Sequence, residues 1–317
     1  MSVDLQRSIS RLTLRQLRIV LAIAEHGSLV AAARHLNMTQ PAISKGLQET
    51  ESILGLEMFA RTSRGVQPTL FGDVLTAHFR LIAAQLAHAS ETIEDLRSGR
   101  DGRVVIGSLL AACVDLLPRA IAKLSANQQR ISVNVTDAAS KSLLQDLRLG
   151  RLELVLGPTH EGQDCDDLNV EPLTTDVACI IVRADHPLTH KPEVSLADLQ
   201  DTPWVLPPPE SKLARQIDAT FREQNLTRSA YSVISDSHTL GRTLVIDYGY
   251  AGVWSWLRAR REARLGVIAV LPILLKGTQV DIGVFTRAGS QPSAIAEMLI
   301  QALHEVAGEL APCPLLP

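Results

Sequence analysis

Between Gly72 and Gly99 the chain contains neither glycine nor proline, and its apolar residues keep one spacing throughout. Leu75, Phe79, Ile82, Leu86, Ala89, Ile93 and Leu96 follow one another in alternating steps of four and three. That is the a/d seam of a heptad repeat on one unbroken linker helix, residues 69–98. At 1.5 Å per residue, roughly 28 residues make a helix about 42 Å long. The unslipped spacing favours a partner helix, and hence a dimer seam, over packing on the helix's own domain. The helix divides the 317 residues into a small part before it and a large part after it.

The small part, residues 1–68, reads as short helices with sharp punctuation. Thr13 with Gln16 forms a capping box, Leu14, Leu17, Leu21 and Ala24 follow at helical spacing, and Gly27 ends the helix. Ser28 caps a second helix that stops at Asn37, and Thr39 caps a third, with Pro41 in its first turn and Gly55 as its stop. Two helices joined by a tight turn near Asn37 are a helix-turn-helix. Residues 56–68 suit a short β-hairpin, a wing. On the third helix Ile43, Leu47 and Leu54 share an inner face, interrupted by Thr50. Gln40, Ser44 and Gln48 share another, with Lys45 beside them. Gln pairs bidentately with adenine, and Ser and Lys suit base edges or phosphates. Plain solvation of a polar face is the competing reading.

Charge supports this division. The whole chain carries −3, which excludes a strongly basic nucleic-acid coat. Residues 1–68 hold eight Lys/Arg against five acids, a net +3, and the remainder 23 against 29, a net −6. With three Trp, three Tyr and five Phe, there are too few aromatics for a base-stacking platform. The four cysteines, 113, 165, 179 and 313, lie far apart with no zinc spacing, so reduced thiols and no metal are expected. The N-terminus lacks an apolar core, and the run Val267–Leu275 is short and contains Pro272. A soluble cytoplasmic protein without a membrane partner is the expectation.

The large part alternates strands and helices. Strand-like runs are Val104–Ile106, Ile131–Val135, Leu152–Leu156, Ala178–Val182, Trp204–Leu206, Tyr231–Ile234 and Val280–Thr286. Helical stretches are Asp115–Leu124, Lys141–Leu149, Ser211–Glu223, Thr239–Asp247 and Ser293–Val306. Alternation of this kind implies parallel sheets covered by helices, and there are enough units for two lobes. The expected lobes are 102–173 with 289–310, and 174–288, followed by a frayed tail from Ala311. The fold class is therefore α/β with an N-terminal, all-α winged helix-turn-helix and a coiled-coil linker helix.

The ordered set Gly27–Leu36, Thr39-Gln40-Pro41-Ala42-Ile43-Ser44, Leu47, Glu51, Leu54-Gly55, Met58-Phe59, Arg61 and Pro68-Thr69-Leu70-Phe71-Gly72 closely resembles the DNA-binding domain of LysR-type transcriptional regulators. The resemblance continues more loosely along nearly the whole chain. Thr50 stands where the family usually has Leu, and Gly46 is a poor helix former. The resemblance implies that Gln40, Pro41, Ser44 and Lys45 touch the major groove of double-stranded DNA. It places Ser28 and Arg34 near the backbone, and Arg61 and Arg64 on or beside the wing near phosphates or the minor groove; by its own chemistry Thr39, at the helix N-terminus, can also donate to phosphate. The resemblance also implies two Rossmann-like lobes of the periplasmic-binding-protein type, a dimer or tetramer, and RNA polymerase as a partner. Val205-Leu206-Pro207-Pro208-Pro209 resembles the branch of sugar-uptake and aromatic-acid regulators.

Folds of this type bind ligands at the C-terminal ends of strands. The candidates there are Ser108, Leu109, Thr136, Asp137, Pro158, Thr159, Pro208, Ser211, Ser237 and His238. Helix N-termini nearby favour an anion, so a small organic carboxylate is the expected effector, with no cofactor. Ser211 and Ser237 read equally as plain N-caps, and His238 as a surface loop residue. Cys113 is read as an ordinary buried thiol. The run Arg258, Arg260, Arg261, Arg264 is read as a solvated helix face or subunit contact. The competing function class, a binding protein or α/β enzyme with an accessory helical domain, lacks G-x-S-x-G, G-x-x-x-x-G-K and G-x-G-x-x-G.

Overall fold

A computed structural model describes residues 5–62, 65–97, 102–126, 130–138, 140–159, 165–226, 232–311 and 313–315. The chain forms two compact units, Met1–Glu94 with Leu149–Arg151, and Asp95–Arg148 with Leu152–Pro317.

The first unit contains α1 (Leu5–Ile9), α2 (Leu14–His26), α3 (Leu29–His35), α4 (Gln40–Leu54), β1 (Phe59–Thr62), β2 (Gly65–Pro68) and α5 (Leu70–Arg97). The punctuation read from the sequence holds at most ends. Thr13 and Gln16 form the capping box, Ser28 accepts from the Ala31 N–H, and Gly27 and Gly55 take left-handed C-caps. Asn37 has φ +52°, which makes the tight turn. Thr39 occupies the N-cap of α4, but its side chain makes no capping bond. The core joins Ile19, Val20 and Ile23 of α2 to Ile43, Leu47 and Leu54 of α4, with Met58 and Phe59 beneath.

The seam of α5 divides. Phe79 is buried in the first unit's core and Leu75 packs against it. Ile82, Leu86 and Ile93 remain 43%, 47% and 53% exposed, and Ala89 is exposed. Packing on the helix's own domain therefore accounts for the first half of the seam, and the second half stays exposed; the Leu96 side chain lies outside the described residues. No helix among the described residues is long and apolar enough to cross a membrane.

The second unit holds two five-stranded sheets. The first is built from β3 (Gly102–Ser108), β4 (Ile131–Asp137), β5 (Leu154–Pro158), β6 (Leu168–Asp176) and β12 (Val280–Arg287), in the order β4-β3-β5-β12-β6. Helices α7 (Leu116–Ala126) and α12 (Ala294–Gly308) cover one face, and α8 (Ser140–Arg148) covers the other. The short α6 (Leu110–Val114) follows β3. The second sheet is built from β7 (Ala178–Arg183), β8 (Trp204–Leu206), β9 (Ser232–Ile234), β10 (Ala251–Ser255) and β11 (Ile268–Leu274), in the order β11-β7-β10-β8-β9. Here α9 (Lys212–Glu223) packs on one face, and α10 (His238–Tyr248) with α11 (Trp256–Arg264) on the other.

Three expectations need correction. The sheets are mixed, because β12 pairs antiparallel with β5 and β6, and β7 antiparallel with β10 and β11. Residues 280–287 belong to the first lobe rather than the second: β12 completes the first sheet after the chain's return crossing, a pairing no local pattern reveals. The tail is not frayed throughout. Cys313 is 4% exposed, and Leu315 packs against the second lobe's core cluster that includes Cys179, Ile181 and Val245.

Candidate nucleic-acid interface and ligand cleft

In the first unit, α4 turns its apolar side inward and leaves Gln40, Pro41, Lys45 and Gln48 exposed, with Ser44 partly so. A helix of this kind reads bases with its N-terminal residues, and those are the polar ones here. The uncommitted Thr39 hydroxyl is exposed beside them. Lys45 lies 3.9 Å from Glu49, an exposed pair that holds it only weakly. Ser28 spends its hydroxyl on its own helix, while Arg34 is exposed.

The wing is fastened to this helix. Glu51 accepts from the Met58 N–H at 2.8 Å and the Phe59 N–H at 3.2 Å, so one carboxylate of α4 fixes the start of β1. Val66 N–H donates to the Gly27 carbonyl at 2.9 Å, which ties β2 to the end of α2. The backbone of Arg61 lies in β1, its side chain and Arg64 being outside the described residues.

In the second unit the candidates gather where sheet topology requires. Strands β3, β4 and β5 run parallel and end together at Ser108, Asp137 and Pro158. In the other lobe β8, β9 and β10 run parallel and end at Leu206, Ile234 and Ser255. Not every candidate is available to a ligand. Ser108 is fully buried and donates to the Leu109 carbonyl at 3.2 Å. Leu109 packs partly into the core beside Leu143 and Val155. Thr159 gives its N–H and its hydroxyl to the Asp281 carbonyl, at 2.7 and 3.3 Å. Ser211 and Ser237 are both N-caps, accepting from Ala214 and Leu240. Pro208 is half-buried; Thr136, Asp137 and Ser237 are exposed.

His238 is drawn into a cluster the sequence reading did not assemble. Its ring centroid is 6.0 Å from that of Trp254, and its Nδ1 is buried without a partner. Burial, then the nearby Arg258 charge, hold its pKa below the ordinary value, while Glu262 and, to a smaller extent, Asp137 on the other lobe pull it up. From the sequence, Arg258 reads as part of a solvated helix face or a subunit contact. It is instead partly buried, with Cζ 3.5 Å from the Trp254 ring centroid. Arg260 is also buried, 3.4 Å from Asp115, and Arg264 reaches Asp115 at 2.9 Å. The signal that could have found this is the apolar run Ala251–Trp254 before the N-cap Ser255, a strand and helix start that places the basic run just past the C-terminal end of β10. Cys113 is partly buried, and burial raises its pKa, as befits an ordinary thiol.

The family model described as LysR substrate binding domain matches residues 97–308, and that described as bacterial regulatory helix-turn-helix protein, lysR family, matches residues 14–73. The transcriptional regulator GbpR of Azospirillum brasilense is 29% identical over 278 residues, 87% of this chain and 81% of that protein. PcaQ of Agrobacterium fabrum is 27% identical over 301 residues, 95% and 96% of the two chains. Among solved structures, a full-length OxyR variant from Pseudomonas aeruginosa has a TM-score of 0.60 at 22% identity, covering 92% of this chain and 95% of that one. Full-length CbnR complexed with its target DNA also scores 0.60, at 18% identity, covering 93% and 100%. At these identities the two structures bear on the fold alone.

Proposed function

The chain belongs to the LysR-type family of DNA-binding transcriptional regulators, and from that premise we propose how it reads DNA and what it senses. It reads a partly palindromic operator as a homo-oligomer, because a two-fold protein matches a two-fold site. CbnR, a neighbour in fold, has been captured on its target DNA. The observation that carries the reading is the exposed row Gln40, Ser44, Lys45 and Gln48 on a helix braced by its own wing through Glu51. Gln40, Ser44 and Lys45 face base edges, with Pro41 at the helix entry. Thr39, Ser28, Arg34, Arg61 and Arg64 serve the phosphate backbone. The protein works in the cytoplasm beside RNA polymerase, with no cofactor.

The second unit senses a small organic acid between its lobes. Ligand binding changes the relation of the lobes and, through the oligomer, the bend in the operator.

Gel-shift titrations on the gene's own upstream region test the DNA reading. Gln40→Ala should cost about 1–3 kcal/mol on the operator and leave random DNA almost unaffected. An equal loss on both would show that Gln40 reads no base.

A further inference from the structure

Arg258 occupies an electrostatically poor position. It lies in the first turn of α11, capped by Ser255 at 3.4 Å, where the helix dipole disfavours a cation. Among the described residues no carboxylate pairs with it; Glu262 on the same helix is engaged by Arg242 at 3.1 Å. Its Nη2 reaches the His238 carbonyl at 3.5 Å, and its Nε is buried without a partner. Burial pushes its pKa down to about 9 even with Glu262 nearby. A half-buried cation with an unmet donor, stacked on an indole, is a built half-site for an anion. The flat guanidinium offers a fork suited to a carboxylate.

The facing lobe supplies the opposite polarity. Asp137 ends β4 beside Ser108 of β3 and is exposed, and its charge reaches the ring of His238, the residue whose carbonyl Arg258 touches. The lobes meet beside this site, since Asp115, just after α6, pairs with Arg264 on α11 at 2.9 Å. An anion alone would meet the charge of Arg258 and offer no donor to Asp137. A ligand with an acid group at one end and a hydrogen-bond donor at the other satisfies both.

We propose that Arg258 binds the acid end of the cleft ligand and that Asp137 takes a hydroxyl or ammonium group on the same molecule, making the effector a hydroxy- or amino-carboxylic acid. This rests on the cleft reading above and adds the residues and the ligand class. It also supplies a reason for lobe closure, because the two ends of one molecule hold opposite lobes.

Four probes of matched chain length separate the parts: gluconate, 6-aminohexanoate, hexanoate and sorbitol. Binding to the full chain is read by tryptophan fluorescence, since Trp254 lies under Arg258, and by thermal shift. Gluconate or 6-aminohexanoate should bind, with hexanoate and sorbitol weaker by on the order of tenfold. Arg258→Gln should remove most of the affinity, Arg258→Lys part of it, and Asp137→Asn the preference over hexanoate. Operator binding by the same variants shows that they are folded. Equal binding of gluconate, hexanoate and sorbitol, or unchanged affinity in Arg258→Gln, overturns the proposal while leaving the cleft reading standing. No response to any of the four overturns both.

Discussion

A methyl group at position 72 would collide with the Met58 carbonyl oxygen. The backbone passes so close because Thr69 ties this corner together. Its hydroxyl donates to the Glu57 carbonyl at 2.7 Å and accepts from the Gly72 N–H at 3.1 Å. Gly72→Ala should therefore destabilise the first unit by about 3 kcal/mol, since a carbonyl and not a side-chain tip must move. Gly46 differs: a Cβ there would lie 2.5 Å from the terminal methyl of Ile19. Better helix propensity, about 1 kcal/mol, offsets that displacement, so Gly46→Ala should stay within about 1 kcal/mol of the parent. Hydrogen exchange of the α2 and α4 amides in the full chain checks both; equal protection in the two variants would contradict the distinction. From the sequence Gly46 and Thr50 looked like weak points of the helix. In the structure Gly46 lets α2 approach α4, and the buried Thr50 hydroxyl is satisfied by the Gly46 carbonyl at 2.7 Å. Inter-helix distance is a tertiary quantity, and spacing along one helix does not contain it.

At the scale of elements, caps and stops were legible because they are local: Thr13, Ser28, Gly27, Asn37 and Gly55 mark helix ends through their own backbone chemistry. Strands β6, β10 and β11 went unassigned because β6 is mostly polar along its exposed face, β10 contains a glycine and runs straight into a helix, and β11 contains Pro272. The linker helix shows how one period can serve two purposes. Phe79 is 3% exposed and belongs to the first unit's core, so Phe79→Ala should destabilise that unit by about 3–5 kcal/mol. Leu86 is 47% exposed, and burying it needs a second chain. Leu86→Asp should therefore leave the melting of the isolated chain unchanged and shift the oligomer toward monomer. Sedimentation velocity on the two variants separates the roles, and an unchanged sedimentation coefficient for Leu86→Asp would place the interface elsewhere.

At the scale of the molecule, two buried carboxylates lie where the lobes meet, and they should respond oppositely to loss of charge. Asp115 is 3% exposed and sits against Arg260, itself buried, and Arg264. Asp115→Asn removes the anion and leaves Arg260 a buried cation without a counter-charge, so it should cost about 3–5 kcal/mol. Asp176 is 2% exposed and pairs with no cation among the described residues; its Oδ1 accepts from the Val177 and Leu257 N–H groups at 2.9 and 3.0 Å. Burial raises its pKa above the ordinary 3.8, the Leu257 N–H, the Ser255 hydroxyl and the Val177 and Trp256 N–H groups opposing the shift only in part. A carboxyl whose folded pKa is raised binds its proton more tightly in the native state. Its contribution is thus full below about pH 4 and is lost as pH rises through the raised value. Asn keeps an oxygen for both N–H groups and never ionises. Asp176→Asn should therefore be at least as stable as the parent at pH 7 and should lose that advantage toward pH 4. Denaturant unfolding across this range tests the contrast. A large loss at neutral pH in Asp176→Asn would mean that the charge itself holds the N-terminus of α11 and joins the lobes, as the charge of Asp115 does.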